Sequence, residues 1–217
     1  MNRLIKSLLF ISLLILIGCS GDSENRLLNL GAVKKVVQNY YESGQYDKDM
    51  KRIIDDAVEY FNRLTIPPEA TVVFDIDETA LSNYEHIKEI DFGYYYEIWL
   101  EWLKKSDATA IPQTKRFYNY LISKNIRIVF ISGRNCDSYQ ATLDNLNQQG
   151  YTEFDTVIVR KENERDLTAT EFKSSKRSEL VSRGYKIIAN IGDQLSDLAG
   201  GNSGFEIKLP NYIYLID

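Results

Sequence analysis

The chain has 217 residues, with 26 basic against 31 acidic groups and a net charge of −5. That length supports one domain with a sizeable core and a small insertion. An acidic chain without a basic run is a poor binder of polyanions, which excludes DNA or RNA polymer as its main partner.

Arg3 and Lys6 precede an apolar run from Leu8 to Ile17. At about ten residues the run is too short to span a bilayer, so residues 1–18 are expected to be a signal peptide. It ends in Leu16-Ile17-Gly18-Cys19, which resembles the lipobox of bacterial lipoproteins. That resemblance implies removal of residues 1–18 and a lipid on Cys19, tethered through Ser20–Asn25 to the bacterial cell envelope, with the outer membrane as the expected site. Cleavage takes two basic groups and no acidic ones, carrying the net charge from −5 to −7. The rival is a plain secretory signal with an incidental cysteine. With Cys19 lipidated, Cys136 has no intrachain partner, and packing alone must hold the fold.

Two helical patterns follow within residues 26–66. Val33, Val36, Val37, Tyr40 and Tyr41 recur at helical spacing, and so do Met50, Ile53, Ile54, Ala57, Val58 and Phe61. Ser43-Gly44 separates them and Pro67-Pro68 ends the second. The pattern then changes. Short apolar runs at Thr71–Phe74, Ile126–Ile131, Thr156–Val159, Lys186–Ile191 and Phe205–Leu209 alternate with helical candidates near 113–124, 137–149, 174–183 and 194–200. Such alternation predicts an α/β domain over 67–217, a three-layer sandwich with a mostly parallel sheet. Residues 83–111 interrupt it. They are too many for a plain connection and predict a small cap with one helix over Tyr95–Lys104.

The chemistry gathers at strand ends, where ligands bind in parallel α/β sheets. The first strand delivers Asp75-Ile76-Asp77-Glu78-Thr79. Carboxylates two apart at that edge allow one to attack phosphorus while the other handles the leaving-group proton. A turn or helix-capping cluster is the rival explanation for that motif alone. The second strand leads into Ser132-Gly133-Arg134, a hydroxyl and exposed backbone N–H groups suited to phosphate. The fourth leads into Asp193-Gln194-Leu195-Ser196-Asp197. Four carboxylates at one edge would repel strongly without a cation.

Taken together, these motifs resemble the haloacid dehalogenase (HAD) superfamily from Thr71 to Asp217. The finer likeness is to the class B-like acid phosphatases, a group that includes bacterial outer-membrane 5'-nucleotidase lipoproteins and plant vegetative storage proteins. It rests on D-I-D-E-T-A-L-S-N from Asp75, A-I-P from Ala110, I-V-F-I-S-G-R from Ile128, F-K-S-S-K-R from Phe172 and G-Y-K-I-I-A-N-I-G-D-Q-L-S-D-L from Gly184. The resemblance implies hydrolysis of a small phosphomonoester, with Asp75 as nucleophile and Asp77 as general acid and then base. Ser132 and Gly133 would bind the phosphoryl oxygens, and Lys173 would pair with phosphate and nucleophile. Mg²⁺ would sit on the Asp75 carboxylate, the Asp77 main-chain carbonyl and Asp193, with Asp197 behind them. A dehalogenase would lack Asp77, and a non-catalytic storage protein would have lost the nucleophile; both residues are present.

Several residues are read as structural. Lys176, one turn along the same helix, is the alternative to Lys173 as the phosphate partner but is rather expected on a solvated helix face, and His86, the sole histidine, is expected on the cap surface. Most of Tyr84, Tyr94, Tyr95, Tyr96, Trp99 and Trp102 are expected to fill the cap, with one or two facing the catalytic edge. Arg134 either orders its loop or touches substrate. The anchor has its own test. Cys19→Ser is expected to abolish metabolic labelling with a fatty-acid analogue and to release or stall the protein, whereas labelling that survives would remove Cys19 as the anchor.

Overall fold

The computed structural model describes residues 27–216, so the signal-peptide run and Cys19 lie outside the described residues. The described chain begins with α1 (Leu30–Glu42) and α2 (Gln45–Arg63), then enters β1 (Ala70–Phe74). A short strand β2 (Leu81–Ser82) follows, then α3 (Tyr84–Glu89), α4 (Tyr96–Lys105) and β3 (Thr109–Ala110), which pairs antiparallel with β2. The remainder alternates: α5 (Pro112–Ser123), β4 (Arg127–Asn135), α6 (Tyr139–Gln148), β5 (Thr156–Arg160), α7 (Ala169–Ser182), β6 (Lys186–Gly192), α8 (Leu195–Leu198) and β7 (Phe205–Lys208).

Five strands form one sheet in the order β5-β4-β1-β6-β7, and every pairing in it is parallel. Side chains along a strand alternate between faces, so both faces of these apolar runs need cover. Val72, Phe74, Ile128 and Phe130 pack with Met50, Ile54 and Phe61 of α2, Phe117 and Leu121 of α5 and Leu146 of α6. Val73, Val129 and Ile131 point the other way, onto Phe172 and Leu180 of α7. The expected three-layer α/β sandwich is what forms.

The segment after β1 departs from the expected single helix. The paired strands β2 and β3 bracket two helices, α3 and α4. Helix α3 has only six residues, too few to show an amphipathic period. Helix α1 buries no residue completely, and Val36 of its predicted stripe is largely exposed. Its role is lateral: Tyr41 stacks on Tyr84 of α3 (4.6 Å, 13°) and on Tyr46 of α2 (4.6 Å, 30°). The Tyr41 hydroxyl also accepts the Tyr212 N–H from the C-terminal segment. An N-terminal helix thus ties together the cap and the segment after β7.

Candidate active site

The loops after β1 and β6, the end of β4 and the first turns of α7 converge on a cavity of about 490 Å³. Asp75 ends β1, its N–H donating to Ile191 O as the last rung against β6 (3.0 Å). The chain then turns tightly, with the Ala80 and Leu81 N–H groups both donating to Ile76 O. Glu78 sits in the left-handed region at φ 53°. A non-glycine residue rarely adopts that conformation without a local reason. Here its carboxyl is held from three sides: it accepts from Asn83 N–H (2.6 Å), Asn83 Nδ2 (3.1 Å) and the Tyr214 hydroxyl (2.6 Å).

Lys173, on the first turn of α7 to reach the sheet edge, donates to Asp75 Oδ1 (2.5 Å) and to Asp197 Oδ1. All three side chains are buried. Burial pushes the Asp75 carboxyl well up; Lys173 pulls it back, while Asp197, Asp193 and Asp77 push it further. Asp193 is raised too, by burial and then by Asp197, against donations from Asn211 and Gln194. Burial alone would lower the Lys173 ammonium, but its two carboxylate partners outweigh that and raise it.

Oxygens of Asp75, Asp193 and Asp197 lie within 4.8 Å of one another. Lys173 is the one cation bonded to these carboxylates among the described residues, which leaves the cluster at a formal −2. Hard oxygen donors, close spacing and that residual charge fit a divalent cation such as Mg²⁺. The approach of Asp197 depends on Gly192, because a Cβ there would stand 2.3 Å from Asp197 Oδ2. Arg177, fully buried on α7, secures the same turn by donating to Asp197 O, Ala199 O and Gly201 O.

Asp77 faces the other way. Its carboxylate is clasped by Arg134, with Nη2 to Oδ1 at 2.7 Å and Nε to Oδ2 at 3.0 Å. Burial raises Asp77, but the Arg134 charge and the Arg134 and Asn83 hydrogen bonds outweigh it and leave the carboxyl below its ordinary value. Arg134 therefore pairs with Asp77, donates Nη1 to Thr142 Oγ1 (3.0 Å) and also borders the cavity.

Of the expected site residues, Asp75, Asp77, Gly133, Lys173, Asp193 and Asp197 all border the cavity. Ser132 is fully buried beneath it and accepts the Arg134 N–H (3.2 Å). Lys176 is corrected. It is buried rather than solvated and pairs with Glu164 (2.6 Å) and Glu179 (2.9 Å), because the loop after β5 folds over it. His86 is likewise not a surface residue. It is 7% exposed, borders the cavity and stacks flat on Trp102 (4.7 Å, 0°). Trp99, Tyr94 and Tyr95 also border the cavity, while Tyr84 and Trp102 serve packing and Tyr96 is partly exposed. Sequence reasoning gave no role to Arg160, Asn211 or Tyr214. Arg160 lies one residue past the apolar run of β5, at the same edge as the catalytic loops. The other two reach the site from beyond β7.

The family model described as HAD superfamily, subfamily IIIB (Acid phosphatase), matches residues 26–217. The chain belongs to that subfamily. This acid phosphatase is 35% identical to the stem 28 kDa glycoprotein of Glycine max over 188 residues, covering 84% of the chain and 74% of that protein. It is 28% identical to acid phosphatase 1 of Solanum lycopersicum, covering 83% and 73%. The class C acid phosphatase of Bacillus anthracis shares its fold, with a TM-score of 0.71 at 23% identity and 86% of each chain covered.

Glu78 carries a pH prediction. Burial, reinforced by Asp77, raises its carboxyl to about 8 from an ordinary 4.5. The unfolded chain releases that proton near 4.5 and the native protein holds it. The penalty is therefore absent below about 4.5, grows with rising pH, and is complete above about 8, at up to about 1.4 kcal/mol per pH unit. In metal-free protein, Glu78→Gln is expected to gain stability relative to the wild type between pH 5 and pH 8. Denaturant unfolding at both pH values checks this, and an unchanged difference would assign the pH slope to other groups.

Proposed function

We propose that this acid phosphatase is a Mg²⁺-dependent hydrolase of small phosphate monoesters, anchored at the bacterial cell envelope and working through a phosphoryl group carried on Asp75. The observation that carries the reading is the buried set of Asp75, Asp193 and Asp197 around one lysine, open to a cavity at the carboxyl edge of a parallel sheet.

A phosphomonoester meeting a carboxylate brings two anions together. Lys173 counters the burial that raises the Asp75 carboxyl, favouring its nucleophilic carboxylate form, and stands ready to neutralise an incoming phosphoryl oxygen. The exposed end of β4 at Gly133 brings backbone to the cavity, and Ser132 braces it from below. An Asp75 oxygen attacks phosphorus and the ester P–O bond breaks. Asp77 gives its proton to the departing alkoxide. A water then attacks the phosphoryl group, Asp77 takes the water's proton, and Asp75 is released with inorganic phosphate.

At rest Asp77 is held ionised by Arg134, the form that the second half requires. Substrate adds negative charge to the same cavity and raises the proton affinity of Asp77, which takes a proton from solvent as substrate binds and passes it to the alkoxide in the first half. Asp75, Asp193 and the main-chain carbonyl of Asp77 would hold Mg²⁺, with Asp197 kept to Lys173 behind them. The ion would supply the remaining charge compensation for nucleophile and phosphoryl group.

The substrate reading comes from the cavity wall. Trp99, Tyr94, Tyr95 and Phe92 flank its outer part, where flat leaving groups gain by stacking, by about 1–3 kcal/mol per base in nucleic-acid sites. Nucleoside monophosphates are the favoured class. The envelope reading comes from the Cys19 motif, and no helix among the described residues is long and apolar enough to cross a membrane.

A kinetic survey of the soluble protein starting after Cys19 tests the whole reading. Chelator is expected to abolish turnover and Mg²⁺ to restore it, with Asp193→Asn raising the Mg²⁺ needed. Nucleoside monophosphates should exceed glycerol phosphate in kcat/KM, chiefly through KM, and Trp99→Ala should narrow that gap. Full turnover in excess chelator would remove the metal from the mechanism. Equal kcat/KM on the two substrate classes would remove the stacking subsite.

A further inference from the structure

Asn83 precedes α3 at a position where asparagine ordinarily accepts a backbone N–H of the first helical turn, a cap worth about 1 kcal/mol. Its side chain makes no such bond. Instead the fully buried amide is used at both ends. Oδ1 accepts the indole N–H of Trp102 from the cap helix α4 (2.8 Å). Nδ2 donates to Asp77 Oδ1 (2.9 Å) and to Glu78 Oε2 (3.1 Å). Glu78 in turn takes the Tyr214 hydroxyl from the segment after β7.

We propose that Asn83 is the positioning residue for the proton carrier Asp77, and that Trp102 of the cap sets the amide's direction. The inference rests on the reading of Asp77 as leaving-group acid. Arg134 and Asn83 together fix Oδ1, at 2.7 and 2.9 Å, while Oδ2 meets only Arg134 Nε at 3.0 Å. Oδ2 is therefore the less engaged oxygen, the one suited to carry the proton, and pinning Oδ1 fixes where it points. Reversing the amide would set its oxygen against the ionised Asp77 carboxylate and its NH₂ against the indole N–H. One indole donor thus determines which end of Asn83 faces the catalytic loop. The forgone helix cap is consistent with a side chain committed elsewhere.

The test compares kcat and KM for p-nitrophenyl phosphate, whose leaving group needs little protonation, with those for glycerol phosphate, whose alkoxide needs a proton. Asp77→Asn is the reference. Asn83→Ala is expected to lower kcat on glycerol phosphate about tenfold more than on p-nitrophenyl phosphate, with KM nearly unchanged. Trp102→Phe keeps the ring stacked on His86 but loses the donor, and should split the two substrates in the same direction by less. In the double variant the split should be no larger than in Asn83→Ala alone, because the indole acts through the amide. If Asn83→Ala fails to fold, Trp102→Phe still reads the split by itself. Equal losses on both substrates in the folded variants, or splits that add in the double variant, overturn the inference. A reference Asp77→Asn enzyme without a split overturns the proton-carrier reading and the inference with it. A split in Asp77→Asn alone overturns only the inference.

Discussion

The contact on which the site depends is the buried bridge from Lys173 to Asp75 and Asp197. Breaking a buried pair by removing one partner typically destabilises by about 3–5 kcal/mol, because the other charge is left without compensation. The surrounding chain is arranged to keep this bridge. Gly192 leaves the room that Asp197 needs, Arg177 binds the carbonyls of the turn that carries it, and Phe172 beside Lys173 anchors α7 on the sheet. The bridge nevertheless under-compensates the cluster, and that residual negative charge is what suits the site to a cation.

A second constraint acts on the loop after β1. The loop after β1 is held by residues remote in sequence: Arg134 from β4, Trp102 through Asn83 from the cap, and Tyr214 through Glu78 from the C-terminal segment. Tyr41 and Tyr84 stack behind the same loop and tie α1 to the cap. The cap and the terminal segment are thus bonded into the loop that carries Asp77 and Glu78. Displacing either would disturb that loop before it disturbed the sheet.

What was legible in the sequence follows from this division. The sheet was visible because fully buried parallel strands require continuous apolar runs, and each run lies within two residues of the strand observed, except β4, which extends on through Asn135. The carboxylates were visible because a parallel sheet brings the ends of β1 and β6 to one edge. Lys173 came through the motif that it shares with the family. Other features had no local signal. Helix α3 is too short for a period to show. The burial of Lys176 depends on Glu164, twelve residues earlier and across a turn. His86 is buried only because Trp102 lies flat against it. The partners of Glu78 and Asp77 stand up to 136 residues away, a distance that no spacing rule spans.

The central claim is that Asp75, paired with Lys173, takes the phosphoryl group from substrate. Rapid quenching during turnover of p-nitrophenyl phosphate, followed by borohydride reduction and peptide mass spectrometry, addresses it directly. The account predicts that a fraction of Asp75, and of no other aspartate, bears a phosphoryl group or is recovered as homoserine after reduction. The label should be absent without substrate and in Asp75→Asn. A phosphoryl group on a different residue, or turnover retained by Asp75→Asn at the wild-type rate, would contradict it.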